Sequence, residues 1–349
     1  MVYKSGNEKV IVSPLFIVSV IAIASVMLSF FVYKITTTAA PYDPQPKIEI
    51  ITPKQIAQQA LVPPIVRTGL QIKNYRKFDL VKNEFIFEGT VWFDFDPSVI
   101  SLDSVSNFTF EKGEIIEKMA PESRLQDTGR LFTKFDIRVK FSSDMDYSLF
   151  PFDDHTLYLI LVARHATPND FVFEATPREF VIEHDVTSLG WKEYDRQVRT
   201  GADIQRFDLF NNKTDVVHPC VEYSIAYQRS GVRYSLTIIL PMLVLFFVVM
   251  FAFTLDPERY RTGILAFCTA AISALLAFRF VIENMSPLTG GYFLVSDYLF
   301  IIFLLLSIAV FLFSMFAEHV GTIYKKIFIV LLNSIIVGYV GYIWIMWVL

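Results

Sequence analysis

The placement of apolar residues constrains this chain before anything else does. Val10–Tyr33 reads "VIVSPLFIVSVIAIASVMLSFFVY", an apolar run without a charge. From Tyr234 onward nearly every position is apolar, and about 190 mixed and charged residues lie between the two regions. A helix needs about 20 mostly apolar residues to cross a bilayer. Five stretches qualify: residues 10–33, 234–255, 262–282, 292–316 and 327–349. A hydrophobic share of 53% and a mean hydropathy of +0.44 are too high for an ordinary soluble protein. The net charge of −4 and the lack of a basic tract argue against a nucleic-acid partner.

The first run has two readings, a cleaved signal peptide or a membrane anchor. It is longer than a signal peptide's apolar region, and Pro41 follows the small residues where a peptidase would cut. An uncleaved anchor is expected. Orientation follows from the loops. Lys4 and Lys9 precede the first span; "DPERYRT" (Asp256–Thr262) and "EHVGTIYKK" (Glu318–Lys326) are basic, and "NMSPLTGGY" (Asn284–Tyr292) has no Lys or Arg. Basic loops stay in the cytoplasm. The middle region and the C-terminus are therefore expected outside it.

The middle region reads as strands. "EFIFEGTVWFDF" (Glu84–Phe95), "LFTKFDIRVKF" (Leu131–Phe141), "HTLYLILV" (His155–Val162) and "VEYSIAYQR" (Val221–Arg229) are rich in β-branched and aromatic residues, and Pro, Asn, Asp and Gly clusters separate them. Only "TPKQIAQQAL" (Thr52–Leu61) has a helical period. Many short strands between turn signals predict an all-β sandwich. The expected organisation is a cytoplasmic N-terminus and anchor over 1–40, an outer sandwich over 41–232 and a four-helix membrane bundle over 233–349. Cys220 falls in the sandwich and Cys268 in a membrane helix, so both are read as packing residues. Asp153–His155 is the one local cluster that suggests an enzyme or metal protein, but H-x-x-x-H, C-x-x-C and glycine-rich phosphate loops are absent. No enzyme, metal or cofactor is expected.

Four motifs then carry a resemblance. "LFPFDDHTLYLILV" (Leu149–Val162) resembles the turn and strand of the pentameric ligand-gated ion channels, the Cys-loop receptor superfamily. "YQRSGVRYSLTIILPM" (Tyr227–Met242) resembles that family's link from its last strand into its first bundle helix. "TGLQIKNYRKFDLVKNEFIFEGTVWFDFD" (Thr68–Asp96) is similar to its first two strands, and "VIENMSP" (Val281–Pro287) to the end of the pore helix in prokaryotic proton-gated members. The match covers about residues 66–349. Animal members carry a disulfide across the turn; no cysteines flank Pro151–Asp153 here, as in prokaryotic members. The N-terminal span is extra to the family's plan.

The resemblance implies a homopentamer in membrane lipid that conducts inorganic ions when an agonist, a small molecule or protons, acts on the sandwich. The alternative is a non-conducting receptor or assembly subunit that keeps the channel fold. Asp79, Asp153 and Arg229 are expected to form a gating cluster, with Pro287 at the end of the pore helix. The bland reading of the turn is a static loop held by Phe152. Aligned without gaps, the pore face is Thr262, Ala266, Ala270, Ser273, Ala277, Phe280 and Asn284, with Ile264, Leu265, Ile272, Leu276 and Val281 on the opposite faces. Small residues also suit tight helix packing in lipid. Phe280 is the expected dewetting gate. Glu258, Arg259 and Arg261 at the inner mouth and Arg279 with Glu283 near the outer end are the charges that bear on selectivity, and Glu283 is the expected partner of Arg279. For a ligand, Arg164, His165, Phe207 and Phe210 are the candidates. Arg164 suits an anion, while His155, His165, His184 and His218 leave protons open.

Overall fold

The computed structural model describes residues 43–46, 48–50, 63–183, 190–209, 212–229, 233–255, 257–287, 291–315 and 322–348. The anchor run, the helical stretch Thr52–Leu61, His184 and Phe210 lie outside these. The chain divides into a β unit, Ala40–Asp146 with Asp154–Ser230, and a helical unit.

In the β unit, β1 (Glu49–Ile50), β2 (Ile65–Asp79) and β3 (Glu84–Phe95) come first. A short helix α1 (Leu102–Ser106), β4 (Phe108–Phe110), β5 (Gly113–Lys118), β6 (Glu122–Leu125) and β7 (Leu131–Phe141) follow. Then come β8 (His155–Ala163), β9 (Val172–Glu174), β10 (Phe180–Ile182), β11 (Trp191–Leu209) and β12 (Asn212–Arg229). One sheet runs β1-β11-β12-β8-β4; the other runs β10-β2-β3-β7-β5, with β6 on β7 and β9 on β2. Alternate residues of each strand face inward: Phe85, Phe87, Phe93 and Phe95 of β3 meet Leu157, Leu159 and Leu161 of β8 and Val221, Tyr223 and Ile225 of β12 in one core. This is the expected sandwich. Cys220 and Cys268 are both free and buried, as read from the sequence.

One end of this core is aromatic and ties β2 to β12. Phe78 packs edge-on to Phe85 (ring centroids 5.3 Å) and to Tyr227 (5.1 Å). The Tyr227 and Tyr75 hydroxyls are 3.3 Å apart. Phe78 is next to Asp79 and Tyr227 is two residues before Arg229, so both charges belong to the same end of the sandwich.

The helical unit contains α2 (Arg233–Thr254), α3 (Pro257–Met285), α4 (Val295–Met315) and α5 (Thr322–Val348). Within the first three, Ser235–Ala252, Thr262–Met285 and Val295–Met315 are long and apolar enough to cross a membrane. Tyr260 leaves helical geometry (φ −120°, ψ 16°), so the straight run of α3 starts after it. The segment Tyr147–Asp153, although it joins β7 to β8, packs as part of this unit.

Candidate functional site

The turn between β7 and β8 is fastened both within itself and to the helices of its unit. Its own bonds run from the Phe150 N–H to the Tyr147 carbonyl (2.9 Å) and from the Phe152 N–H to the Leu149 carbonyl (2.8 Å). The Phe150–Pro151 peptide is cis. Three of its carbonyls then accept from the helices. The Val295 N–H donates to Ser148 (3.0 Å), the Ser296 N–H to Phe150 (3.1 Å) and the Ser235 hydroxyl to Pro151 (3.0 Å). Val295 and Ser296 open α4, where backbone donors have no partner within the helix. The turn therefore caps α4. The Tyr292 hydroxyl accepts from the Tyr147 N–H (3.2 Å). Phe150, Phe152 and Asp153 are buried. The sequence singled out this stretch; it gave no sign of Ser235, Tyr292, Val295 and Ser296 as its partners.

Of the other expected coupling residues, Asp79 and Arg229 lie in the β unit. The Asp79 carboxylate accepts the Lys82 N–H (2.9 Å) and so closes the β2–β3 turn. The Arg229 N–H donates to Asp154 Oδ1 (3.2 Å), and its guanidinium lies over the Trp191 ring, 4.2 Å from the centroid. Stacking on an indole suits the planar guanidinium, and Trp191 is a partner that sequence reasoning missed. Pro287 is buried just past the end of α3.

On α3, Ile264, Cys268, Ala271, Leu275 and Ile282 are buried against the neighbouring helices. Thr262, Ala266, Ala270, Ser273, Ala277, Phe280 and Asn284 are all exposed within the chain. The Asn284 amide turns back to the Phe280 carbonyl (2.7 Å). One expectation is corrected: Leu276, placed on a packed side, is 48% exposed within the chain, and the packed seam runs through Leu275 instead. One residue turns a helix by about 100°, which is the size of that error.

Arg279 also differs from expectation. Its guanidinium pairs with Asp297 in the first turn of α4 and lies 5.6 Å from the Phe300 ring, rather than reaching along its own helix to Glu283. Asp297 also accepts the Leu294 N–H (2.9 Å). The side chains of Glu258, Arg259 and Arg261 lie outside the described residues.

The ligand candidates are partly brought together. Arg164 reaches Asp203 of β11 (3.4 Å), and Phe207, four residues further along that strand, is 46% exposed. His165 is exposed in the turn after β8. His218 Nδ1 lies 3.1 Å from the Ala166 carbonyl. Among the described residues no cluster of His, Cys, Asp and Glu could hold a metal.

A β-sandwich followed by helices able to cross a bilayer defines a membrane protein with a large water-facing domain. No family model matches the chain. It is 24% identical over 249 residues to the proton-gated ion channel of Gloeobacter violaceus, a match that spans 70% of this chain and 60% of that relative. The chain is thus a distant relative of an ion channel.

Proposed function

We propose that this chain is one subunit of a homopentameric ligand-gated ion channel in a bacterial inner membrane, with the sandwich and the C-terminus outside the cytoplasm. The agonist acts on the sandwich, and the signal passes through the Tyr147–Asp153 turn, Asp79 and Arg229 to a pore lined by α3. Arg229 pairs with Asp153 in this scheme, and cations are slightly favoured over anions. The observation that carries the reading is α3 itself. An apolar helix packed on one seam leaves a whole stripe of small residues and Phe280 exposed among the described residues. Five copies around an axis would bury that stripe against a water-filled path. The distant relative's proton gating, together with the commitment of Arg164 to Asp203, favours protons over an anionic ligand.

The second reading, a non-conducting receptor, rests on the alanines of the stripe, Ala266, Ala270 and Ala277. Native mass spectrometry and planar bilayers separate the two. Five copies and a current evoked by acid are expected. Monomers or tetramers would sink the assembly, and a silent pentamer from pH 8 to pH 4 would sink conduction.

A further inference from the structure

The β1-β11-β12-β8-β4 sheet carries, on its side away from the core, a cavity that the channel reading does not use. Leu157, Leu159 and Leu161 of β8 belong to the core. The alternate residues Tyr158 and Ile160 therefore face the other way, and both line a cavity of about 340 Å³. That is within the range of small-molecule sites, about 300–1,000 Å³. Three other stretches of chain complete its walls: Pro44–Pro46 before β1, Glu111 and Lys112 between β4 and β5, and Ser142–Asp144 after β7. All of them belong to the β unit.

The walls are held from behind. Asp43 accepts the Asp146 N–H (2.8 Å) and the Thr156 N–H (2.5 Å), and its Oδ1 lies 3.1 Å from Nδ1 of His155. One buried carboxylate thus closes the β7–β8 loop and anchors the start of Pro44–Pro46. The Glu111 N–H donates to the Ile160 carbonyl (2.8 Å), and the Ser142 N–H to the Lys112 carbonyl (3.1 Å). Asn83 holds Ser143 through the backbone: its amide donates to the Ser143 carbonyl (2.6 Å) and accepts the Ser143 N–H (2.9 Å). Walls already in place lose little freedom when the cavity is filled.

The polar groups say what fits. Lys112 pairs with Asp144, and these two charges offset each other. Glu111 is left over: its half-buried carboxylate makes no hydrogen bond or ion pair among the described residues. Burial, with Asp203 nearby, raises its pKa against the pull of Lys112 and Arg164. Ser143 is 3% exposed, and its hydroxyl has no hydrogen-bond partner among the described residues. Buried polar groups are ordinarily paired, and an unpaired acid with an unpaired hydroxyl suits a cation that carries N–H donors. A metal ion is a poor match, because no cluster of His, Cys, Asp and Glu among the described residues could hold one. An anion would find only Lys112, which Asp144 already holds. Pro44, Pro46, Tyr158 and Ile160 add apolar surface for a hydrocarbon.

We propose that this cavity binds a small primary ammonium compound, its nitrogen held by Glu111 and the Ser143 hydroxyl and its hydrocarbon part lying against the prolines, Tyr158 and Ile160. A primary ammonium has three donors and no acceptor, so two acceptors and water at the mouth satisfy it. The site lies within one chain's sandwich and does not depend on the channel reading.

The test is calorimetric titration of the full chain in detergent, at about pH 8 and constant ionic strength, with n-butylamine. That amine is charged there, as a lysine side chain is. It should bind saturably, once per chain, while 1-butanol, of similar shape without the charge, should not. Tetramethylammonium, a cation without N–H donors, should bind more weakly than butylamine. Glu111→Gln should raise the Kd for butylamine at least about tenfold, and Ser143→Ala about three- to tenfold. Ser143→Ala should leave the melting temperature of the free protein unchanged, because its hydroxyl has no bond to lose. Absence of saturable butylamine binding, equal binding of 1-butanol, or an unmoved Kd in Glu111→Gln would overturn the site. Tetramethylammonium binding as tightly as butylamine would overturn the hydrogen-bonded primary ammonium, and an unmoved Kd in Ser143→Ala would overturn the part given to that hydroxyl.

Discussion

Arg199→Met should produce a loss of stability that depends strongly on pH. Glu222 is fully buried on the face of its sheet turned away from the core. Ile48 covers part of that face by packing on Ile160, Val162 and Cys220. Arg199, across the β11–β12 ladder, gives Nε to Glu222 Oε1 (2.7 Å) and a second bond to the same oxygen, while Oε2 has no hydrogen-bond partner among the described residues. Burial raises the Glu222 pKa and Arg199 opposes the rise. Removing one partner of a buried ion pair costs about 3–5 kcal/mol. Arg199 is 30% exposed, so water replaces part of it and the low end, about 3 kcal/mol, applies at pH 8. Toward pH 5 the unpaired carboxyl takes up protons, because burial raises its pKa, and the loss falls toward about 1 kcal/mol of hydrogen bonding. The sign follows from linkage. The folded state keeps a proton that the unfolded chain has released, so stability declines as pH climbs from about 4.3 through the folded pKa. For a domain of this size about 1 kcal/mol moves Tm by about 2–4 °C. Melting in detergent, followed by circular dichroism, should show a drop of about 6–12 °C at pH 8 and about 2–4 °C at pH 5. Adding Glu222→Gln should regain most of the loss. Equal drops at the two pH values would refute the argument.

The other expectations concern the helices. Leu275→Ala should cost about 2–5 kcal/mol and Leu276→Ala much less in the same thermal assay; the reverse order would turn the packed seam of α3 back toward the sequence expectation. Asp297→Ala leaves the Arg279 guanidinium without its carboxylate and the Leu294 N–H without its acceptor, and should lower the melting temperature more than Glu283→Ala does. Phe280→Ala should raise the resting current in planar bilayers, and an unchanged closed state would move the gate elsewhere.

Much of the sandwich is legible in the sequence because its central strands carry their own pattern. Glu84–Phe95 and Leu131–Phe141 alternate densely with aromatic and β-branched residues, and the strands end where those runs end. Trp191–Leu209 escapes such a reading. "WKEYDRQVRTGADIQRFDL" is rich in charged residues, and what holds it is a ladder to β12 from Trp191–Arg229 to Leu209–Asn212. Spacing rules also see only one element at a time. The i,i+4 rule pairs Arg279 with Glu283 because both lie on α3, and it has no means of finding Asp297 on the next helix. Asp43 is the extreme case: 112 positions separate it from His155, and no local period marks a carboxylate that closes a distant loop. The stripe from Thr262 to Asn284 reads as one exposed face of α3, but its neighbouring seam is misplaced by one residue because an almost wholly apolar helix has little contrast between its sides.

The bonds of the β7–β8 turn also fix an order of events during biosynthesis. Chains emerge from the ribosome N-terminal end first, and domains fold largely as they appear. The sandwich strands are complete at Arg229, before any of the turn's helical partners has been made. Ser235, Tyr292, Val295 and Ser296 come later, so the carbonyls of Ser148, Phe150 and Pro151 must remain hydrated until α2 and α4 have been inserted. Contacts of such long sequence separation form slowly. The loop is therefore among the last parts of the chain to reach its final shape, and a nascent chain truncated after Arg229 should leave it open to protease while the strands on either side are already protected.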